Sequence, residues 1–488
     1  MKRGKQYLYY ALPIALAGLT LGLVLHGSRL RGATLTRSSP AVTALREAVR
    51  HANLVILVID AARADHLGCY GYARDTTPNI DALADDGIVF RDHFCQMPLT
   101  TASTISLFRS QYPDTHCAYY EVGEHDRAFF TLASTLARAG FRTALFSSNP
   151  SASPAVGVGT DFHEAVHRVY PVTQGRQFSP EALLLRFKAW LEANRRSRFF
   201  LYIHFLPPHT PYHQPTRFTE RFVGRIPPGF RSATYTPCQF EFPIEDRSPE
   251  PEHPPLPRWI DLYDANLCYA DWAVGQVVEC LTDAGLFETT LLIVTSDHGE
   301  AFGEHGYVWH AHAIHSEATH IPLIVRFPGS SVPPGHVRCL TRTIDLAPTL
   351  CDLFEIPYRA DRVQGRSLLP VLAGETDTAA QYSIAKSYRP RKYMIRDGRH
   401  ALLLYRNPEW WALYDREGDP SETSDILHER PEVAERLHRS FRAFAEAQRR
   451  PPRCFLDPEA EPLPEPRPSE TALPAKVRRD LEALGYLR

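Results

Sequence analysis

The segment Leu291–Gly306 reads LLIVTSDHGEAFGEHG: an apolar run of strand type ends in Thr295 and Ser296, and Asp297 and His298, two metal-ligand residue types, follow at once. Gly299 behind them lets the backbone turn sharply. The same design occurs near the start of the chain, where Asn53–Asp60 (NLVILVID) is a continuous apolar strand whose last residue is a carboxylate. In open α/β sheets ligands bind beyond the carboxyl ends of the strands, so Asp60, Asp297 and His298 can converge although they are far apart in sequence. Two acids and an imidazole suit one divalent cation. Oxygen-rich ligation permits Ca²⁺, Mg²⁺ or Mn²⁺, and the histidine leaves Zn²⁺ open.

Other residues could act beside such a cation. Thr100 directly precedes an expected helix, Thr101–Gln111, which places its hydroxyl at a helix N-terminus, either as an ordinary N-cap or next to a bound anion. A metal-bound hydroxyl beside an anion-binding turn is what phosphoryl or sulfuryl transfer through a covalent intermediate requires. In IHFLPPHTPYHQP, His209 lies past a strand end next to prolines that fix the loop, which favours function, whereas His204 inside the strand reads as a satisfied core residue. His310 and His312 in WHAHAIHSE alternate, so on an extended segment they share a face. Asn149 also falls at a strand end, where an Asn before Pro is usually a turn former.

The elements that must hold these residues alternate strand and helix. Asn53–Asp60, Phe141–Ser147, Phe199–Phe205, Thr290–Ser296 and Pro322–Phe327 read as strands; Thr77–Asp86, Thr101–Gln111, Ala182–Asn194 and Asp261–Leu286 read as helices. This alternation predicts an α/β fold, a mostly parallel central sheet with helices on both faces. Residues 51–374 form the expected catalytic domain, with a Pro-rich insertion at 213–257 that is either a rim over the site or disordered. Residues 375–450 read as a small C-terminal α+β subdomain, with short antiparallel strands in Tyr382–Tyr414 and a helix over Pro431–Gln448. Residues 451–488 read as a Pro-rich tail with a terminal helix over Pro474–Leu484.

The N-terminal residues differ in kind. Residues 1–6 carry Lys2, Arg3 and Lys5 as a cytoplasmic n-region, and residues 7–25 form an uncharged apolar run long enough to cross a bilayer as a signal anchor. A polar linker, 26–50, follows. The catalytic domain is then expected to be exported, periplasmic or otherwise extracytoplasmic, and tied to the membrane through its N-terminal helix. The net charge of −2, with acids and bases interspersed, leaves no basic stripe for nucleic acid. Nine cysteines without CxxC pairs or Cys/His spacing argue against a zinc ribbon and against a disulfide scaffold.

The run VIDAARADHLGCYGYARDTTPNIDALADDGIVF, then PLTTASTISLFRSQYP, HFLPPHTPY, TSDHGEAFGEHG and HIPLIVRFPG resembles the sulfatase family of the alkaline phosphatase superfamily. LYDREGDPSE and the final LEALGYL resemble that family's C-terminal pattern. The resemblance implies the superfamily's fold and a metal held by Asp60, Asp297 and His298, with the nucleophile on that metal. Counting back from Tyr112-Pro113, Thr100 stands where sulfatases carry the Cys or Ser matured to formylglycine, and Thr cannot become that aldehyde. Cys95 offers no substitute, because CQMPL lacks the Pro and Arg of the maturation motif. The lysines that sulfatases present to sulfate are missing too: between residues 6 and 385 the only lysine is Lys188, and His310 and His312 stand at the place of the second one. Ala61 follows Asp60 where a second Asp is usual. A Thr nucleophile with one acidic ligand from this strand resembles instead the superfamily's phosphoethanolamine and glycerolphosphate transferases, which carry several membrane helices.

These features together predict an exported, metal-dependent hydrolase of phosphate or phosphonate esters, with sulfate esters less favoured. Asp60, Asp297, His298 and Thr100 hold the cation and Thr100 attacks, while His209 and His310 or His312 bind non-bridging oxygens or protonate the leaving group. The substrate is a small-molecule, glycan or lipid ester. The rival readings are transfer of a phospholipid head group to a glycan, and a non-catalytic binding protein that kept the fold.

Overall fold

The computed structural model describes residues 39–119, 131–167, 179–210, 212, 214–223, 256–388, 392–405 and 410–447. The expected signal anchor, most of the 213–257 insertion, and the tail with its terminal helix lie outside these described residues.

The centre is an eight-stranded sheet. Its strands are β1 (Asn53–Ile59), β2 (Ile88–Phe94), β3 (Arg142–Ser147), β4 (Glu164–Val166), β5 (Phe199–Phe205), β6 (Thr290–Thr295), β9 (Leu323–Arg326) and β10 (Gly335–Arg342). A small hairpin, β7 (Ala301–Phe302) with β8 (Val308–Trp309), lies between β6 and β9. The spatial order is β10-β2-β9-β6-β1-β5-β3-β4. β9 alone runs antiparallel to its neighbours β2 and β6, and the other described pairings are parallel.

β1 is buried along its whole length because both faces of the sheet are covered. Its side chains alternate: Leu54, Ile56 and Val58 enter one apolar cluster, and Val55, Leu57 and Ile59 enter the other. Full burial of one such side chain stabilises the fold by about 1.5–3 kcal/mol, which is why a continuous apolar run specifies a central strand. Val58 is level with Thr295 of β6 and with His204 of β5, so the loops that follow these three strands open side by side at one edge.

Several expectations are corrected. The segment 26–50 is not linker throughout, because Pro40–Val49 is a helix capped by the Ser39 hydroxyl, which accepts from the Val42 N–H. Val42, Leu45 and Val49 share one face and pack into the core; three apolar residues in a polar stretch are a faint stripe, but a sufficient one. Within 213–257, Thr216–Val223 is a helix whose Phe218 packs against Tyr269 and Trp272, and the long helix starts at Leu256 and ends at Asp283. β2 and β10 were not anticipated, since Arg91 and Asp92 interrupt one apolar run and the other strand lies at an exposed, polar edge.

The C-terminal unit is an antiparallel sheet in sequential order, β11 (Ser383–Lys386), β12 (Lys392–Arg396), β13 (His400–Tyr405) and β14 (Trp410–Asp415), covered by the helix Pro431–Ala447. Ala434, Leu437 and Phe441 of that helix meet Tyr393, Leu402 and Leu413 in a separate apolar cluster. Among the described residues no helix is long and apolar enough to cross a membrane.

Candidate active site

The loops after β1 and β6 bring Asp60, Asp297 and His298 together, all buried. Each carboxylate commits one oxygen to protein donors and leaves the other bare. Asp60 Oδ2 accepts from Asn149 Nδ2 and lies 3.2 Å from His204 Nε2, while Oδ1 has no hydrogen-bond partner. Asp297 Oδ1 accepts from the backbone N–H groups of Ala61 at 3.2 Å and His298 at 2.9 Å, while Oδ2 has none. The bare oxygens lie 3.7 Å and 3.6 Å from His298 Nε2. The other ring nitrogen of His298, Nδ1, donates to the Gly299 carbonyl at 2.9 Å, which leaves Nε2 with its lone pair toward the two oxygens. Buried carboxylate oxygens without donors are costly, so two of them facing one imidazole lone pair fit a divalent cation.

Gly299 serves a purpose other than the expected sharp turn. A Cβ there would sit 2.1 Å from the Glu317 carbonyl oxygen, so only glycine allows the loop to close on that neighbour.

Thr100 is the first residue of the helix Thr100–Arg109 and not its cap; the N-cap is Leu99, which offers no side-chain acceptor. The hydroxyl is therefore not consumed in capping. Thr100 is fully buried, and its Oγ1 lies 3.2 Å from His298 Nε2, at the positive end of an uncapped helix.

The histidines divide. His209 is buried, with its ring 5.0 Å from that of His310 and 6.4 Å from that of His298. His310 stacks on His298 at 4.2 Å, and its Nδ1 lies 3.1 Å from Glu300 Oε1. Burial lowers the pKa of both His209 and His310. His312 is only half-buried, and its carbonyl accepts from Lys392 Nζ at 3.4 Å. The expected shared face of His310 and His312 is overturned because the segment turns: Trp309 has φ +79° and the Ala313 N–H bonds back to the His310 carbonyl at 2.7 Å.

His204, expected to be an ordinary core residue, is indeed fully buried, but it faces the carboxylates: Nε2 is 3.8 Å from Asp297 Oδ2 besides its bond to Asp60, and Nδ1 is 3.2 Å from Tyr202 Oη. Burial opposes its charge, yet the hydrogen bond to Asp60 and the field of both acids raise its pKa. Burial likewise acts to raise Asp60, and His209, His204 and His298 outweigh it and hold the carboxyl below the ordinary range. Asn149 does more than turn the chain. Its amide donates to Asp60 while its Oδ1 accepts from the Ser151 N–H at 2.7 Å.

Two lysines reach the neighbourhood from the C-terminal sheet. Lys386 Nζ is paired with Asp114 and lies 3.1 Å from Tyr119 Oη. Lys392 lies 3.7 Å from the Tyr307 ring centroid, and burial brings its pKa down to about 8. The described cysteines are free thiols.

The sulfatase family model matches residues 52–356, and the model for the C-terminal region of N-sulphoglucosamine sulphohydrolase matches 303–447. The chain is similar to human iduronate 2-sulfatase, at 26% identity over 73% of each chain. Its fold is similar to that of a phosphonate monoester hydrolase of Agrobacterium radiobacter, with a TM-score of 0.65 and 21% identity over 81% of this chain and 95% of that one. It is also similar to a structure in complex with its substrate D-glucosamine-2-N,6-O-disulfate, with a TM-score of 0.67 and 18% identity over 81% and 98% of the two chains.

Proposed function

We propose that this chain, which belongs to the sulfatase family, is a metal-dependent hydrolase of phosphate or phosphonate esters with Thr100 as its nucleophile. The fold is common to sulfate and phosphonate ester hydrolases, so it does not choose the ester. Residue 100 chooses. A threonine cannot be oxidised to an aldehyde, so the hemiacetal elimination that releases sulfate from formylglycine has no counterpart here, whereas water can displace a phosphoryl group from a threonine oxygen.

Asp60, Asp297, His298 and Thr100 would hold the cation, and when bound it would stabilise the deprotonated hydroxyl and the charge that develops on the phosphoryl oxygens. The chain's own groups account for the remaining steps. Thr100 Oγ1 forms a bond to phosphorus as the bond to the leaving oxygen breaks, and a buried histidine, His209 or His310, gives that oxygen a proton. Water then attacks phosphorus, the same histidine takes its proton, and the bond to Oγ1 breaks to return the deprotonated Thr100 oxygen with which the cycle began. The N-terminal dipole of the helix Thr100–Arg109 favours the anionic group throughout. The uncharged run at residues 7–25 supports, as part of the same proposal, an exported domain held at the membrane.

The test compares aryl phosphate, phosphonate and sulfate esters at matched leaving group, with and without a formylglycine-generating enzyme, and measures the intact mass of the peptide carrying residue 100. Faster phosphorus-ester cleavage with an unmodified or phosphorylated Thr100 is expected. Faster sulfate turnover on an unmodified Thr100 would overturn the choice of ester.

A further inference from the structure

We propose that His305, His315 and Glu317 form a second divalent-cation site, suited to zinc, which closes the loop between residues 305 and 317 against the C-terminal sheet. The site stands independently of the Thr100 reaction and of the choice of ester.

His305 lies in the turn of the β7–β8 hairpin, and His315 and Glu317 come from the HSE that ends WHAHAIHSE. The three ligand atoms, one from each residue, all lie within 4.8 Å of one another. Zinc bonds of about 2.0–2.1 Å set tetrahedral ligand atoms about 3.3 Å apart, so the trio needs to draw in by no more than about 1.5 Å. His305 Nε2 donates to the Glu422 carbonyl at 3.0 Å, which turns Nδ1 to Glu317 Oε1 at 2.9 Å. The His305 and His315 rings stack face to face, 3.6 Å apart and 7° from parallel. His315 is 5% exposed, and its Nε2 has no hydrogen-bond partner. A buried ring nitrogen left bare is costly, and a cation shared with the stacked ring gives it a partner.

The ligands stand on fixed backbone. His315 is the N-cap residue of the short helix Ser316–Thr319, and its carbonyl accepts from the Ala318 N–H at 3.1 Å and from Thr319 Oγ1 at 2.8 Å. The Glu317 carbonyl accepts from the Glu300 N–H at 3.0 Å. Glu422 supports both halves of the site, its carboxylate on Ser316 and its carbonyl on His305. Two cations act on His315, and both are engaged: Arg396 pairs with Glu422 at 3.2 Å, and Lys392 Nζ lies 3.7 Å from the Tyr307 ring centroid and 3.4 Å from the His312 carbonyl. The His305 side chain is 12% exposed, which gives an ion and a water ligand a way in. Two imidazoles and a carboxylate with a fourth position left for water are a zinc-type set. The loop closed in this way carries the His310 ring that stacks on His298 at 4.2 Å, so the ion would hold that ring in place from a site separate from Asp60, Asp297 and His298.

The experiment uses the full chain and zinc alone, with bound metal counted by elemental analysis after excess is removed. Asp297→Asn, expected to lose the first cation, should keep one equivalent of zinc, and adding Glu317→Gln should abolish it. The affinity lost should be roughly a hundredfold or more, because removing a mere supporting partner of a ligand already costs tenfold to a hundredfold. Asp60→Asn replaces the background variant, and His315→Ala the second change, if either protein fails to fold. X-ray absorption at the zinc edge of Asp297→Asn should show two imidazoles at about 2.0–2.1 Å. Zinc should also raise the unfolding midpoint of Asp297→Asn and leave that of the double variant unmoved. No zinc in Asp297→Asn, or the same zinc content with and without Glu317→Gln, overturns the site and leaves His305 and Glu317 as a metal-free ion pair. Zinc bound without a rise in the midpoint overturns the closure of the loop. A single equivalent in the wild type that persists in Asp297→Asn and disappears in Glu317→Gln would support this site and count instead against a cation at Asp60.

Discussion

His204 Nε2 lies 3.2 Å from Asp60 Oδ2 with both side chains fully buried, so the acid at the end of β1 already has an imidazole partner before any metal arrives. The imidazole also sits 3.8 Å from Asp297 Oδ2. The field of the two carboxylates and the bond to Asp60 raise the pKa of this buried ring, and a proton on it would offset part of the repulsion between them. It would do so from Asp60 Oδ2, not from Oδ1, the oxygen with no partner.

Thr100→Ala should cost roughly a thousandfold or more in kcat, because the nucleophile, the histidines and the bound cation act as a unit. The fold should survive, since the change removes one buried hydroxyl worth about 1 kcal/mol. Kinetics together with elemental analysis test this: activity lost with metal retained is the expected pair, and a variant with most of its activity would rule out the covalent route.

Asp60→Asn and Asp297→Asn should each lose the cation itself. Each change removes one of the two carboxylate charges, and each asparagine would present a neutral amide to an oxygen site that now has no donor. Chelation of the wild type should reproduce both phenotypes. Equal activity in metal-free and metal-loaded protein would show that these residues have another role.

Strand ends were legible because a largely apolar run that stops near a carboxylate leaves little else to read: Asp60 follows β1 directly, and only Ser296 separates Asp297 from β6. His204 was harder. A histidine inside a buried strand points to one face or the other, and only the register of β5 on β1 shows that it looks toward Asp60. Asn149 meets Asp60, a partner remote in sequence, which local pattern does not encode. The motif LYDREGDPSE could be recognised but not explained: its last residue, Glu422, returns to the site loops, where its carboxylate accepts from the Ser316 N–H and hydroxyl, each at 2.9 Å, and its carbonyl lies 3.0 Å from His305 Nε2.

Glu422→Gln should therefore loosen the seam between the C-terminal sheet and the catalytic domain. Burial would raise the carboxyl's pKa, but Arg396, at 3.2 Å and fully buried, along with His315 and Arg416, brings it down to about 2. A folded pKa below the ordinary value of 4.5 means stability that is present above pH 4.5 and lost as pH falls toward 2. The variant leaves Arg396 without its charge partner and should lose about 3 kcal/mol at pH 7. Denaturant midpoints measured between pH 7 and pH 2.5 should show the wild type converging on the variant in acid, and a constant gap would refute the assignment.

The His204–Asp60 pair predicts how metal binding depends on pH. The pair raises the folded pKa of His204 above 6.5, so in the metal-free protein its contribution to stability is fully present below pH 6.5 and is lost as pH rises through that raised value. A divalent cation placed beside Asp60 and Asp297 repels the imidazolium and competes with it for the same two acids, so binding should release a proton over the range above pH 6.5 where His204 still carries one. Apparent metal affinity should then rise with pH across that range. His204→Gln should flatten the dependence, because an amide donates to Asp60 without carrying charge, and should weaken binding by roughly tenfold to a hundredfold through looser orientation of the ligand. Titration calorimetry in buffers of different ionisation heat counts the released protons directly. Proton release that persists undiminished in His204→Gln would place the titrating group elsewhere in the site.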